Sequence, residues 1–368
     1  MATSSSTQAS QRVLAIDALR GFDMFWIIGA DALARSILGL IGTSRAAKLA
    51  EQLEHVKWEG FRFYDLIFPL FLFLVGCSMP YSLEKYRQSP TSAYWRIVRR
   101  VTALVLLGLI ANGILKFDWE NLRYAGVLQR IGICYGLGAL IYLNTSTRGQ
   151  IISLIGILIG YWVILRFIPS PGGIAGDLSM EGNLVGWLDR KLLPGKIMPQ
   201  YYGYGDNEGI LSTIPAVATV LSGVLASHVL RSSLVNPQKI LYLACAGIAA
   251  VYAGYLWNGW FPIIKNLWTS SFVLVASGWS LILLAGFYAV IDVVGLSRWS
   301  MIFVIVGMNA ITIYVAQRFI DFKHMSQFFL AGVAKISGYE PTVLLAGVLL
   351  FKMLFLWFLY SKKIFLRV

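Results

Sequence analysis

FYDLIFPLFLFLVGCSMPYSL, residues 63–83, is a run of 21 residues with one charged side chain, Asp65. About 20 consecutive apolar residues suffice to cross the hydrocarbon core of a bilayer as a helix. No two-residue alternation of a barrel strand appears in the run, and lipid offers the backbone no hydrogen-bond partner, so the run predicts a transmembrane helix. Working outward in both directions, further stretches repeat the pattern. The spans predicted are 20–41, 63–83, 97–115, 125–143, 150–168, 209–230, 239–256, 267–291, 300–320 and 342–361. The fold class expected is all-α, a polytopic transmembrane helical bundle of about ten spans.

Composition agrees. Of 368 residues, 57% are hydrophobic and 13% charged, about half the charged share of soluble domains. The net charge of +13 fits loops that face anionic lipid, and no basic patch interleaved with stacking aromatics points to nucleic acid. Cys77, Cys134 and Cys245 lie singly in apolar runs and read as packing residues, not disulfides or metal ligands. Residues 1–11 are polar and read as a disordered tail without signal-peptide character. Residues 12–368 read as a single transmembrane domain, with 169–208, rich in Pro and Gly, as its long loop. Lys85, Arg87, Arg96, Arg99 and Arg100 in the 84–100 loop, with Lys362, Lys363 and Arg367 in the tail, place both termini in the cytoplasm. The segments 42–62 and 169–208 then face outward.

Charges within a span are costly and need a reason. On the first span Asp17, Arg20, Asp31 and Arg35 are spaced 3, 11 and 4 apart. On a regular helix Arg20 and Asp31 fall within about 20° of each other, making one polar stripe. For Asp17 and Arg20 a structural ladder of ion pairs holding helices together is an equal reading. Asp31, nearer the middle of the span, fits that explanation least. His55, His228 and His324 are the only histidines, and each, on spacing alone, is more often structural than catalytic. No zinc-binding, nucleophile-elbow or phosphate-loop motif is present. Placed by depth, His55, Asp65, Gln129, Arg130, Asp206, Glu208, Lys265 and Asn266 gather toward the outer side, with Asp31 and Asn309 deeper. Polar helix ends account for many of these. Asp31, Arg130 and Asn309 lie furthest inside apolar runs. Trp58, Trp257, Trp260 and Trp268 near outer helix ends read as an interfacial aromatic belt before they read as sugar-stacking platforms.

Six stretches carry a resemblance. They are RVLAIDALRGFDMFW (12–26), HVKWEGFRFYDLIFPLFLFLVGCSM (55–79), GVLQRIGICY (126–135), EGILSTIPAV (208–217), FPIIKNLWTSSFVL (261–274) and VGMNAITIYV (306–315). In this order they resemble the heparan-α-glucosaminide N-acetyltransferase family. The resemblance implies an acetyl-CoA-dependent acyltransferase that moves acetyl to a terminal glucosamine-like amine on the extracytoplasmic side. It implies that His55 is essential, and it aligns Asp31 with an Asn of the human member. Because the chain opens at the family's shared core, the resemblance suggests a prokaryotic inner-membrane protein with a periplasmic acceptor.

Under that resemblance the catalytic candidates are His55, Asp31 and Asp65. His55 acts either as the base that deprotonates the acceptor or as a carrier of the acetyl group, and Asp31 or Asp65 orients the imidazole or holds the amine. The donor-binding candidates are Arg20, Arg130, Gln129, Lys265, Asn266 and Asn309. Arg130, Asn266 or Asn309 would stabilise the oxyanion, and Arg20, Arg96, Arg99, Arg100 and Lys265 are cations for the CoA phosphates. No metal is implied. The partners expected are acetyl-CoA, an amino-sugar or glycan acceptor, membrane lipid and a second copy of the chain in a homodimer. Two alternatives remain open: O-acylation of a cell-envelope glycan or lipid-linked sugar, and a transporter without covalent chemistry.

Overall fold

The computed structural model describes residues 13–87, 90–198 and 203–366. The 1–11 tail, Pro199 and Arg367 lie outside these. Among the described residues the chain is helical throughout, with two isolated β-bridges and no strand. In chain order the helices are α1 (Leu14–Phe25), α2 (Asp31–Ile41), α3 (Ser44–Gln52), α4 (Phe63–Leu83), α5 (Pro90–Ala111), α6 (Val127–Asn144) and α7 (Thr147–Phe167). They continue as α8 (Leu184–Leu192), α9 (Thr213–Arg231), α10 (Asn236–Trp257), α11 (Ser270–Phe287), α12 (Met301–Met308), α13 (Ala310–Ala316), α14 (Phe322–Ser337) and α15 (Glu340–Ser361).

Eight helical segments among the described residues are long and apolar enough to cross a membrane; the chain is an integral membrane protein. Two of the ten spans read from sequence differ physically from the rest. The 97–115 span belongs to α5, which begins earlier and carries Arg96, Arg99 and Arg100 in its first half. The 300–320 span is broken at Asn309 (φ −121°, ψ 27°) into α12 and α13. The helix α14 was not anticipated, because Lys323, His324 and Lys335 interrupt its apolar pattern.

The centre of the bundle is α4 packed along α9. With no hydrophobic driving force between helices in lipid, close backbone approach supplies the contact. Gly76 lies against the backbone of Val220 and Gly223 against that of Phe73, with no room for a β-carbon at either. Gly21 of α1 and Gly307 of α12 meet in the same way. Cys77 and Cys134 are buried packing residues, whereas Cys245 is exposed on α10 among outward-facing apolar side chains.

The first span is not one regular helix. A widened turn, Trp26–Ala30, separates α1 from α2, and Gly29 sits at φ 124°, a conformation open to glycine. The Ile28 carbonyl accepts a hydrogen bond from Lys352 Nζ of α15 at 2.8 Å. The turn breaks the regular angular register, so Arg20 and Asp31 do not share one stripe. Arg20 pairs with Asp17 (3.3 Å) and donates to Ser78 (2.6 Å). Asp31 instead opens α2 and pairs with Arg35 at 3.5 Å.

Candidate active site

His55 lies in the segment between α3 and α4, and two features fix that segment. Gly60, at φ 117°, donates from its N–H to the Ile263 carbonyl at 2.9 Å, and Glu59 bridges Ile264. These contacts tie the His55 segment to the 258–269 connection, which carries Lys265. Trp58 donates its indole N–H to the Leu178 carbonyl at 2.9 Å, which anchors the segment to the long loop as well.

The result is a three-residue cluster. His55 Nδ1 stands 2.8 Å from Asp65 Oδ1. Asp65, on the first turn of α4, is fully buried and also accepts from the backbone N–H groups of Arg62 (3.0 Å) and Val56 (3.4 Å). Lys265 Nζ lies 2.8 Å from His55 Nδ1, 3.1 Å from Nε2 and 3.4 Å from Asp65 Oδ1. Asp65 Oδ2 takes the backbone donors and Oδ1 faces His55, which favours the tautomer with the proton on Nδ1; Nε2 is then the basic nitrogen, with the Lys265 ammonium beside it. The imidazole is half exposed, at 50%, so the base faces an open space while its orienting carboxylate does not.

Burial draws His55 below its ordinary imidazole value; the bond to Asp65 opposes this, and the Lys265 charge adds to the lowering. Burial likewise draws Lys265 below the usual lysine range, against the pull of Asp65 and Glu208. The neutral, basic form of His55 therefore persists below about pH 6.5, and chemistry that needs it is lost as pH falls through the lowered value. Lys265→Met removes a charge that depresses His55, so the acid limb of kcat/KM moves to higher pH in that variant. The acceptor's own titration is common to both proteins and drops out of the comparison. Superimposable limbs would remove Lys265 from the electrostatics of the base.

A second layer surrounds this cluster. Tyr64 packs its ring on His55 at 4.7 Å between centroids, and the charge of Asp31 reaches both side chains. Arg35 links Asp31 to Glu54 at 3.2 Å. On the other side, Glu208 acts on Lys265 and pairs with Arg123, which grips Asp206 through two bonds of 2.6 and 2.8 Å. Arg130 is buried beneath, its guanidinium 5.0 Å over the Trp268 ring, donating to the Gly209 carbonyl and to Ser212. Its Nε and Nη1 have no partner among the described residues. Trp268 is thus a buried floor, not a sugar-stacking face.

The structure brings His55, Asp65 and Lys265 into contact, with Asp31, Arg130 and Glu208 around them. Asn266 is half-buried beside Lys265. Asn309 is buried at the break between α12 and α13; its Oδ1 accepts from Thr312 at 3.2 Å and its Nδ2 has no described partner. Two candidates lie elsewhere. Gln129 donates to the Tyr124 carbonyl and fills the space over Gly108 and Gly126, a clasp between α5 and α6. Arg20, on Ser78, is 13 residues along α4 from Asp65, about 20 Å. His228 bonds Gln150 at 2.8 Å at the far end of α9, and His324 is exposed on α14. Sequence reasoning passed over Arg123 and Asp189. Asp189, on α8, accepts from the N–H groups of Asp206 (3.2 Å) and Ile210 (2.9 Å), and burial pushes its carboxyl up to about 6. Their signal was weak, because each stands among polar loop residues. Among the described residues no group of three or more His, Cys, Asp or Glu side chains is placed to hold a metal ion.

No protein-family model matches the chain. It is 28% identical to human heparan-alpha-glucosaminide N-acetyltransferase over 371 residues, covering 86% of this chain and 56% of the relative. The mouse protein of the same name is 27% identical over 373 residues, with the same shares. The chain is similar to these two heparan-alpha-glucosaminide N-acetyltransferases along most of its own length. It spans about half the length of these curated relatives. The six stretches read from the sequence are thus accompanied by similarity along most of the chain; His55 and Asp65 lie in the second of them and Lys265 in the fifth.

Proposed function

We propose that the chain is a transmembrane acetyltransferase. It moves acetyl from acetyl-CoA, supplied on the cytoplasmic side, to the amine of a glucosamine-like sugar on the extracytoplasmic side, in a prokaryotic inner membrane with both termini cytoplasmic. The observation that carries this reading is the His55–Asp65–Lys265 cluster. An ammonium gives up one proton to solvent before it can attack a thioester, and the nitrogen sheds a second as the amide bond forms; imidazole is the base suited to take that second proton at neutral pH. His55 Nε2 takes the proton while Asp65 holds Nδ1–H. The amine nitrogen bonds to the carbonyl carbon, and the developing oxyanion is met by the Lys265 ammonium. The C–S bond then breaks, and the imidazolium returns its proton to the departing thiolate. An alcohol acceptor would use the same atoms, which keeps O-acylation of an envelope sugar as the nearest alternative.

The opposite end of α4 supports the donor assignment. Ser82 lies 17 residues from Asp65, about 25 Å along the helix. There Ser82 and Tyr135 join Arg96, Arg99 and Arg100 around a cavity of about 460 Å³. Arg100 rests 4.3 Å over Tyr135 and Arg96 4.8 Å over Tyr86, so two of the three guanidiniums are held on aromatic rings, and among the described residues no carboxylate pairs with them. Phosphates are their natural complement. On the same face of α4, Ser78 carries Arg20, and Phe68 and Phe71 line a narrow apolar slot of about 20 Å³ with Ile131 and Ala310. A molecule with phosphates at one end and a thioester at the other matches this order, cations, apolar slot, base; the slot has room for no more than about one water and has to part to admit its chain.

The test uses labelled acetyl-CoA and glucosamine with purified membranes. Replacing Arg96, Arg99 and Arg100 together by Gln is expected to raise KM for acetyl-CoA by about 100-fold, two charge-assisted bonds' worth. KM for glucosamine and the melting temperature should hold. An unchanged KM for acetyl-CoA would move the nucleotide to another mouth, and no transfer by the wild type to any amine or alcohol would end the reading.

A further inference from the structure

On a different face of the bundle, residues 317–321, which connect α13 to α14, close with Phe322 and Lys323 of α14 against α15 around a cavity of about 560 Å³. Its lining is divided. Phe319, Ile320, Phe322 and Val348 form apolar walls, and Arg318, Lys323 and Lys352 set three cations against the single carboxylate of Asp321. That carboxylate is already engaged, accepting from the His324 N–H at 2.9 Å to cap α14. Lys352 is nine-tenths buried and is the one charged residue of α15 after Glu340. Its described partners are neutral oxygens, the Ile28 carbonyl at 2.8 Å and Gln317 Oε1 at 3.1 Å. An ammonium has three donors; the remaining side of this one faces the Phe322 ring of the cavity wall, 5.9 Å to its centroid, with the Asp31 charge within reach.

We propose that this cavity binds the phosphate group of a membrane amphiphile, with Lys352 at its base and Arg318 and Lys323 at its rim. A buried cation set in a spanning helix is held there for a partner, and the cavity pairs surplus positive charge with apolar walls. Around it Phe319, Phe328 and Phe329 are exposed on the outside of an integral membrane protein, where acyl or prenyl chains lie. A free, fully soluble anion has no use for those walls. Two amphiphiles share the required chemistry: a bulk phospholipid and a prenyl-phosphate carrier of a sugar. The cavity adjoins the widened turn before Asp31, because Lys352 holds the Ile28 carbonyl released there. A carrier-linked sugar bound at this place would arrive beside the His55 site from within the bilayer.

The test is lipid retention by the purified full chain, read by native mass spectrometry. The probes are phosphatidic acid, diacylglycerol with the same acyl chains, and a polyprenyl phosphate. The expected result is retention of one or both phosphate-bearing lipids at about tenfold over diacylglycerol, the scale of one charge-assisted hydrogen bond. Lys352→Met and Lys323→Gln should each erase that excess, and Lys352→Arg should keep it. If Lys352→Met does not fold, Lys323→Gln on the exposed rim decides alone. Preference for polyprenyl phosphate identifies a sugar carrier, and preference for phosphatidic acid identifies bulk lipid; both support the site. Equal retention of diacylglycerol, an excess that survives the decisive variants, or displacement of the lipid by free CoA would overturn it. The readout does not use acetyl transfer, so it stands or falls apart from the reaction.

Discussion

His55→Ala lowers acetyl transfer to glucosamine by about 10³-fold, the middle of the range for a positioned general base. The loss falls on kcat, because His55 touches the reacting proton and not the donor's phosphates. Folding should be little changed, since the imidazole is half exposed and the buried Asp65 keeps its backbone donors and Lys265. The variant also separates two routes. Wild-type enzyme given labelled acetyl-CoA without acceptor accumulates a labelled histidine if His55 carries the acetyl group. It stays unlabelled if His55 is only the base. Activity retained in a folded His55→Ala protein would remove the residue from both roles.

Arg123→Met destabilises the fold by about 3 kcal/mol, the low end of the cost of stranding a buried charge. The low end applies because Arg123 is itself one-fifth exposed. Its guanidinium serves Asp206, which is fully buried, and Glu208, nearly so. Asp206 in turn accepts from the N–H groups of Met198 and Glu208. Loss of the cation leaves two carboxylates without their paired guanidinium in the wall beside Lys265. The measurement is thermal unfolding in detergent, with the double variant Arg123→Met, Asp206→Asn regaining part of the loss. An unchanged melting temperature would mean that water replaces the guanidinium and the wall is open.

The spans were legible because twenty apolar residues in a row have few other uses. The residues around the site were legible in kind, as polar groups at helix ends, but not in arrangement. His55 and Lys265 are 210 positions apart, and the contacts of Glu59 and Gly60 with Ile264 and Ile263 bring their connections together. A regular helical wheel joined Arg20 to Asp31, and it failed because one glycine at a positive φ interrupts the helix between them. Arg123 was passed over because an arginine in a loop looks solvated until its two carboxylates are placed. Lys352 was invisible for a related reason. Its partner is a backbone carbonyl, Ile28, which a sequence does not mark as available.

The central claim is that one chain carries acetyl from a donor on one side of a membrane to an acceptor on the other. The direct measurement is in sealed proteoliposomes with glucosamine trapped inside and labelled acetyl-CoA added outside to chains of known orientation. Labelled N-acetylglucosamine should appear inside in step with CoA released outside, with neither signal from His55→Ala. Release of CoA without labelled product inside, or escape of unmodified glucosamine without CoA release, would contradict the account.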